Sequence, residues 1–551
     1  METKQISLPP REFMLRLEQA VGRLAAGAPL DFNELIPLLA HPEVESRLEA
    51  NLALIRVYMQ KGDEERVGQL VERAWWLSRQ DPKWLDTYLY FKIKAGDMAA
   101  VRGAYKHQGM RAAREGRLAE ALVWFNRWQD AENRIKSRDY YYYDEDVLAA
   151  IDQLASPYRF NTHPSPPVAG ERIRVAYLMH GVTQFNSVLV RLSRLFANHH
   201  DRGRFEVAFF VPDSRADVLA SPQGQANLQA IAEQGWHVCV APDSDDEAEM
   251  LLQLAGSIHG FKPHIMVLSA GLADMRNHFI RALRPAPRVI GFLSGPPAQF
   301  VAPDLDAAIA WTWHPLMDCP VTCYRVTPEM NLPDPARMRP VSRASLGVPD
   351  RAVLLAAGGR DVKFRSPLFW QLVEACLQSH PEAWFMAIGA EEAQLEETLS
   401  VLHAGVRSRL LVIPWLEEYL GLLAAADIQL DTYPSGEGAI LLDGMAMGIP
   451  AIAFENDYLR SFDQSDWSPA REMLPDACLV SPRGDIQAFL ARIGALINGP
   501  ELRRQLGEQC GLAANGRFGQ PQRMVAACER IYALVSGQSG NILFSEHPDM
   551  R

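Results

Sequence analysis

Cysteine is scarce, long apolar runs are missing, and positive charge is outnumbered. Seven cysteines in 551 residues are too few for a disulfide framework. The count is odd, so a reducing compartment is expected. Cys319 and Cys323 stand in CPVTC, half of a metal-ligand pattern. No second pair lies nearby, which leaves a structural role as the expectation. No stretch reaches eighteen apolar residues, so no membrane-spanning helix is expected. The opening METKQISLPPREF lacks the apolar core of a secretory signal. Lys and Arg number 55 against 67 Asp and Glu, a net charge of −12. That balance argues against a general nucleic-acid or membrane binder but leaves room for a local basic pocket. With 48% apolar and 22% charged residues, the composition is that of a globular, cytoplasmic, bacterial protein of three or four domain-sized units.

What is present begins with helices. From residue 11 to about 155, apolar residues recur at three and four spacing in FMLRLEQAVGRLA, LEANLALIRVYM and VGQLVERAWWL. Turns fall at Gly62, Gly96 and Gly116. The first two are 34 residues apart, the period of tetratricopeptide helix pairs; the third comes after 20. The reading is an all-helical tetratricopeptide-like domain over residues 1–160. It either grips a polypeptide or caps the next domain. The run Tyr140–Tyr143 is expected to pack the helices onto that domain. THPSPP, from Thr162 to Pro167, then breaks the pattern.

Strands and helices alternate from Arg172. RIRVAYLM, FEVAFFVP, HVCVA, IMVLSA, RVIGFL and AAIAWTW form one set. After an irregular Pro- and Arg-rich stretch, VLLAAGG, WFMAIG, LLVIP, IQLDTY, AIAF and CLVS form a second. Such alternation implies parallel sheets covered by helices on both faces. The fold class is therefore α/β. Two Rossmann-like domains, 170–335 and 345–537, come after the helical one. Open sheets of this kind bind ligands beyond the carboxyl ends of their strands, so two of them face to face make a cleft.

The most informative stretch is QLDTYPSGEGAILLDGMAMGIPAIAF, from Gln429 to Phe454. A strand runs into the loop Pro434-Ser435-Gly436-Glu437-Gly438. A helix from Ala439 to Met447 comes next. A glycine loop leading into a helix N-terminus suits a phosphate, because the first-turn N–H groups have no partner inside the helix. Asp443, one turn on, is placed to accept from a ribose diol. The same glycines also fit a crossover that serves only packing.

Three stretches together, RALRPAPRVIGFLSGP, GGRDVKF and the loop region preceded by WLEEYLGLLAAAD, resemble the O-GlcNAc transferase and bacterial adhesin N-glucosyltransferase family of protein glycosyltransferases. The resemblance spans Arg172 to Leu474 and implies a GT-B arrangement, with the second lobe holding the nucleotide-sugar donor. Lys363 matches the family lysine at the donor diphosphate. Arg360 adds a second positive charge there. Asp443 matches the ribose aspartate. Tyr419 falls where a side chain lies against the uracil, and backbone groups from Ile413 through Pro414 to Trp415 fall where its edge is read.

There are departures. Ala439 and Ile440 replace two phosphate-binding threonines. Of the histidines in the loop after the first strand, only His180 is present; it is a candidate general base. Gln184 and Asn186 in that loop are candidate acceptor contacts. So are Ser294, Gly295 and Pro296, which replace a Gly/Thr/Ser-rich loop. Glu437 is unusual beside a diphosphate. Retaining relatives carry a glutamate pair eight residues apart, whereas Ser435 stands eight before Asp443, which favours inversion. Asp243-Ser244-Asp245 and Asp304-Leu305-Asp306 exist, but the resemblance implies no metal or other cofactor. The expected activity is an inverting, metal-independent transfer from a UDP-sugar to a protein or peptide side chain, Asn or Ser/Thr. The alternatives are a catalytically inactive scaffold and a transferase with a lipid or saccharide acceptor.

Overall fold

A computed structural model describes residues 8–28, 32–134, 141–183, 188–269, 274–293, 299–312, 319–416, 419–433, 436, 438–455 and 469–538. It divides into two compact units, Met1–Ile135 and Lys136–Arg551.

The first unit is helical: Pro10–Ala25, Phe32–Leu39, Val44–Gln60, Glu64–Leu77, Leu85–Lys94, Met98–Arg114 and Leu118–Arg134. Local chemistry sets the turns. Gly62, Gly96 and Gly116 take the left-handed backbone (φ +69°, +70° and +72°) that closes a helix. Asp63 and Asp97 then cap the next helix, accepting from Arg66 N and Ala100 N at 3.2 and 3.1 Å. Gly62 and Gly96 each join the two helices of a pair. Gly116 instead closes the second helix of a pair, which explains the shorter spacing. The core holds Trp75 stacked on Tyr88 at 4.9 Å, with Leu54, Val71 and Ala74 around them.

The second unit carries three parallel sheets among the described residues. Its strands are β1 (Tyr141–Tyr142), β2 (Ile173–Leu178), β3 (Phe205–Ser214), β4 (His237–Ala241), β5 (Ile265–Leu268), β6 (Val289–Leu293), β7 (Gln299–Phe300), β8 (Ala307–Trp311), β9 (Cys323–Val326), β10 (Val353–Gly358), β11 (Ala383–Ile388), β12 (Leu410–Ile413), β13 (Ile428–Leu430), β14 (Ala451–Phe454) and β15 (Val480–Ser481). The first large sheet has the order β4-β3-β2-β5-β6-β8-β9, the second β12-β11-β10-β13-β14-β15. Three strands, β1, β7 and β9, were not legible in the sequence. Residues 11–155 read as helices only, yet β1 pairs with β7, Tyr141 opposite Gln299. A two-residue strand has no periodicity to reveal it. Tyr141 is buried, Tyr142 meets the Phe300 ring at 5.4 Å, and Tyr143 is exposed. Strand β9 is the third. It begins at Cys323, and no metal-holding group forms there among the described residues. Helix Glu145–Ala155, read with the helical domain, lies in the second unit. It packs beside helix Met275–Leu283, where Asp152 pairs with Arg281 at 3.3 Å.

Acidic strings resolve into structure. Asp246 caps helix Glu247–Gly260 through Ala248 N at 2.9 Å. Asp306 pairs with Arg288 at 2.6 Å, and Asp304 pairs with Arg281.

The final helix, Pro521–Val535, returns from the second lobe to the first. Glu529 lies 3.0 Å from His200, and the Tyr177 hydroxyl donates to that of Tyr532 at 3.0 Å. All four are buried. The lobes are therefore joined by a satisfied buried polar network as well as by apolar packing.

Candidate active site

In each large sheet the strand order reverses once, between β2 and β5 and between β10 and β13. Loops leaving such neighbours diverge and open a crevice at the carboxyl ends of the strands. Each sheet places one candidate cluster at its reversal point.

In the second lobe, β10 ends at Gly358. A Cβ there would lie 2.0 Å from Ile440 Cδ1, so the absent side chain lets helix Ala439–Ala446 seat its first turn on the strand end. Arg360 comes next, exposed, and starts the 3-10 turn Asp361–Arg365. Phe364 buries itself under this turn, and the Trp370 indole donates to its carbonyl at 2.6 Å. The pinned turn aims Lys363 across the reversal. Its ammonium donates to the carbonyl of Gly436, in the loop after β13. Gly438 precedes the helix, which has no side-chain cap. Among the described residues, a Cβ at Gly438 would touch Pro469 alone, at 3.8 Å. The structure therefore joins a cation to an uncapped positive helix end, the requirements of an anion site. Ala439 opens the helix, half-buried. Pro434, Ser435 and Glu437 lie outside the described residues.

Asp443 is 1% exposed and already engaged. Arg191, on the first-lobe helix Val188–His199, grips it with two hydrogen bonds of 3.0 Å. The Tyr419 hydroxyl adds a third at 2.8 Å. Asp443 in turn holds the Arg191 guanidinium above its usual pKa, against the opposing effect of burial. This carboxylate bridges the lobes, a role its sequence neighbourhood does not reveal. Tyr419 is part of the same bridge. It is buried, its hydroxyl is committed to Asp443, and its ring meets Trp415 edge-on at 5.4 Å. Trp415 is half-buried beside Gly389, and is the aromatic side chain that sequence reasoning passed over. Pro414 is exposed next to it.

In the first lobe, β2 runs into His180. Asn227 holds this loop by donating to Val182 O at 2.8 Å. From the far side of the reversal, after β5, Asp274 places Oδ2 3.5 Å from His180 Nδ1. That is a charge contact, longer than a good hydrogen bond. Asp274 also caps helix Met275–Leu283 and receives Arg276 Nε at 2.8 Å. Burial pushes its carboxyl up, but His180 and Arg276 outweigh this and hold it well below the usual range. A carboxyl depressed by folding contributes stability at neutral pH. That contribution is lost as pH falls below the ordinary carboxylate value of about 4. Asp274→Asn should therefore flatten the acid limb of the stability curve, as read by urea unfolding between pH 3 and 7. An unchanged slope would refute the assignment. Gln184, Asn186, Ser294, Gly295 and Pro296 lie outside the described residues.

Sequence reasoning missed Arg191, Asp274 and the Trp415 side chain. The one available signal was Asp274 itself, an N-cap residue before a helix. Arg191 has no distinguishing mark beside Arg194.

No protein-family model matches the chain, and no curated protein matches it in sequence. Solved structures do. An O-GlcNAc transferase mutant from Thermobaculum terrenum is 15% identical, with 96% of this chain and 98% of that one covered and a TM-score of 0.54. A glycosyltransferase from Rickettsia africae is 12% identical over 67% of this chain and 100% of its own, with a TM-score of 0.51. Paired with the two reversal-point crevices, these likenesses give this chain the two-lobed α/β fold of the GT-B glycosyltransferases.

Proposed function

We propose that this protein is an inverting, metal-independent glycosyltransferase that moves a sugar from a UDP-sugar to a protein or peptide side chain, Asn or Ser/Thr. The observation that carries the reading is Lys363 reaching across the β10/β13 reversal to the loop before an uncapped helix. Departure of a nucleoside diphosphate adds negative charge at the leaving oxygen. A fixed ammonium and oriented N–H groups there stabilise the transition state more than the bound donor. Arg360 supplies a second cation at the mouth.

In the other lobe, His180 accepts the acceptor proton while the acceptor atom bonds to the anomeric carbon. The bond from that carbon to the diphosphate oxygen breaks on the opposite face. Asp274 faces Nδ1 and so favours the tautomer that leaves Nε2 free to accept. Solved structures sharing the fold are an O-GlcNAc transferase and a glycosyltransferase, which supports the same class. A binding scaffold is the second reading. It is favoured by Asp443, whose engagement by Arg191 and Tyr419 suits a structural bridge.

Thermal unfolding with UDP separates the two. Free UDP at a hundred times its dissociation constant should stabilise the protein by about 2.7 kcal/mol. Mass spectrometry of peptide and protein acceptors with UDP-glucose and UDP-GlcNAc should then show a hexose or N-acetylhexosamine adduct. Neither a shift nor an adduct would leave the scaffold.

A further inference from the structure

We propose that the helical unit carries a binding pocket for peptide carboxylates, built where helices Glu64–Leu77 and Met98–Arg114 end. A cavity of about 460 Å³ there is lined by Arg79, Arg111, Arg114 and His107, with Asp81 and Glu115. Two independent features point to a ligand.

The first is the backbone. Other helices of this unit close on a left-handed glycine, at Gly62, Gly96 and Gly116. Helix Glu64–Leu77 closes instead on Arg79 and Gln80, both left-handed, with φ of 55° and 62°. Side chains are rarely found there, because Cβ crowds the carbonyl; glycine would avoid the strain. The surroundings enforce the conformation. Gln80 N donates to Trp75 O at 2.9 Å, and buried Gln108 donates to Gln80 O at 3.0 Å. Strain maintained in this way at the lining of a cavity marks a side chain kept for another purpose. Arg79 is exposed, with no side-chain partner among the described residues.

The second is charge. The lining holds three guanidiniums and two carboxylates. Glu115 is engaged by Arg111 at 3.2 Å and Arg117 at 2.6 Å, and Asp81 caps the turn after it through Lys83 N at 3.0 Å. The Arg114 Nε bonds Met110 O at 3.2 Å, which leaves its terminal nitrogens for a ligand. Burial first, then Arg114 and Arg111, holds His107 below its ordinary pKa. Both acids are already paired with basic neighbours, Glu115 with Arg117 and Asp81 with Lys83, so the lining keeps a net positive charge for an anion. Guanidinium forks match carboxylates in bidentate fashion, and the acids can accept from peptide N–H groups.

The inference does not rest on the transferase reading, because the test reads binding alone. Fluorescence anisotropy of full-length protein would use labelled, amidated hexaglutamate, with hexaglutamine as the control. Hexaglutamate should bind at least ten-fold more tightly than amidated hexaglutamine. Arg79→Gly should lose at least ten-fold in hexaglutamate affinity while its thermal midpoint stays level or rises, since the glycine relieves strain. Arg114→Ala should weaken binding similarly. Hexaglutamine with a free C-terminus tests the other carboxylate source; its binding over the amidated form would support the pocket and assign it a chain end. Wild-type affinity in Arg79→Gly would overturn the proposal. So would equal binding of all three peptides, amidated and free, or displacement of hexaglutamate by equimolar inorganic phosphate.

Discussion

Arg191→Ala is expected to destabilise the protein by about 3–5 kcal/mol, the usual consequence of stranding one partner of a buried ion pair. The reason lies in unequal burial. The Asp443 side chain is 1% exposed and the Arg191 side chain 21%. Removing the arginine leaves a carboxylate in the core with the Tyr419 hydroxyl as its remaining neutralising contact of those described. Removing both charges should cost much less. A double variant, Arg191→Met with Asp443→Leu, should recover most of the lost stability, because well-packed apolar groups replace buried pairs nearly neutrally. Urea unfolding of the three proteins measures this directly. A small effect of Arg191→Ala would show that water reaches Asp443 once the lobes part.

The same pair constrains donor binding. A carboxylate has about four acceptor positions, and three are taken here. A ribose diol needs two. If Asp443 holds the ribose, Arg191 must yield at least one bond as the donor enters. UDP should then stabilise Arg191→Ala by more than it stabilises wild type. Equal shifts would place the ribose elsewhere.

Lys363→Ala should lower kcat by 10²- to 10³-fold, about 2.7–4 kcal/mol of transition-state stabilisation, the range for deleting one preorganised donor to a developing negative charge. KM should change far less, because on the proposed mechanism the interaction strengthens as the diphosphate leaves. Lys363→Arg should not restore the rate. The ammonium is a compact charge set against the Gly436 carbonyl, and a planar guanidinium fork has a different reach and shape. Initial rates with UDP-sugar and the acceptor found by mass spectrometry test both variants. A kcat within three-fold of wild type in Lys363→Ala would remove the lysine from the chemistry.

The sequence by itself determined most of what is local. Apolar spacing marked the helices of the first unit, because a helix buries one face at a period near 3.6 residues whatever its surroundings. Continuous apolar runs marked the large-sheet strands other than β9, since strands covered on both faces need them. Gly62, Gly96 and Gly116 announced turns through the backbone that glycine permits. Lys363 and the loop holding Gly436 and Gly438 were legible from motif order, and the fold places that lysine on that loop. Only the tertiary structure decided the rest. Arg191 meets Asp443 across 252 residues. Asp274 meets His180 through the adjacency of β2 and β5. The Tyr419 ring meets Trp415 edge-on while its hydroxyl donates to Asp443. Strands β1, β7 and β9 exist because partners hold them, not because their own residues alternate. Local propensity depends on a residue and its near neighbours. Buried charge pairing depends on which distant segments the fold brings together, and among many similar arginines nothing in the chain says which one will face a carboxylate.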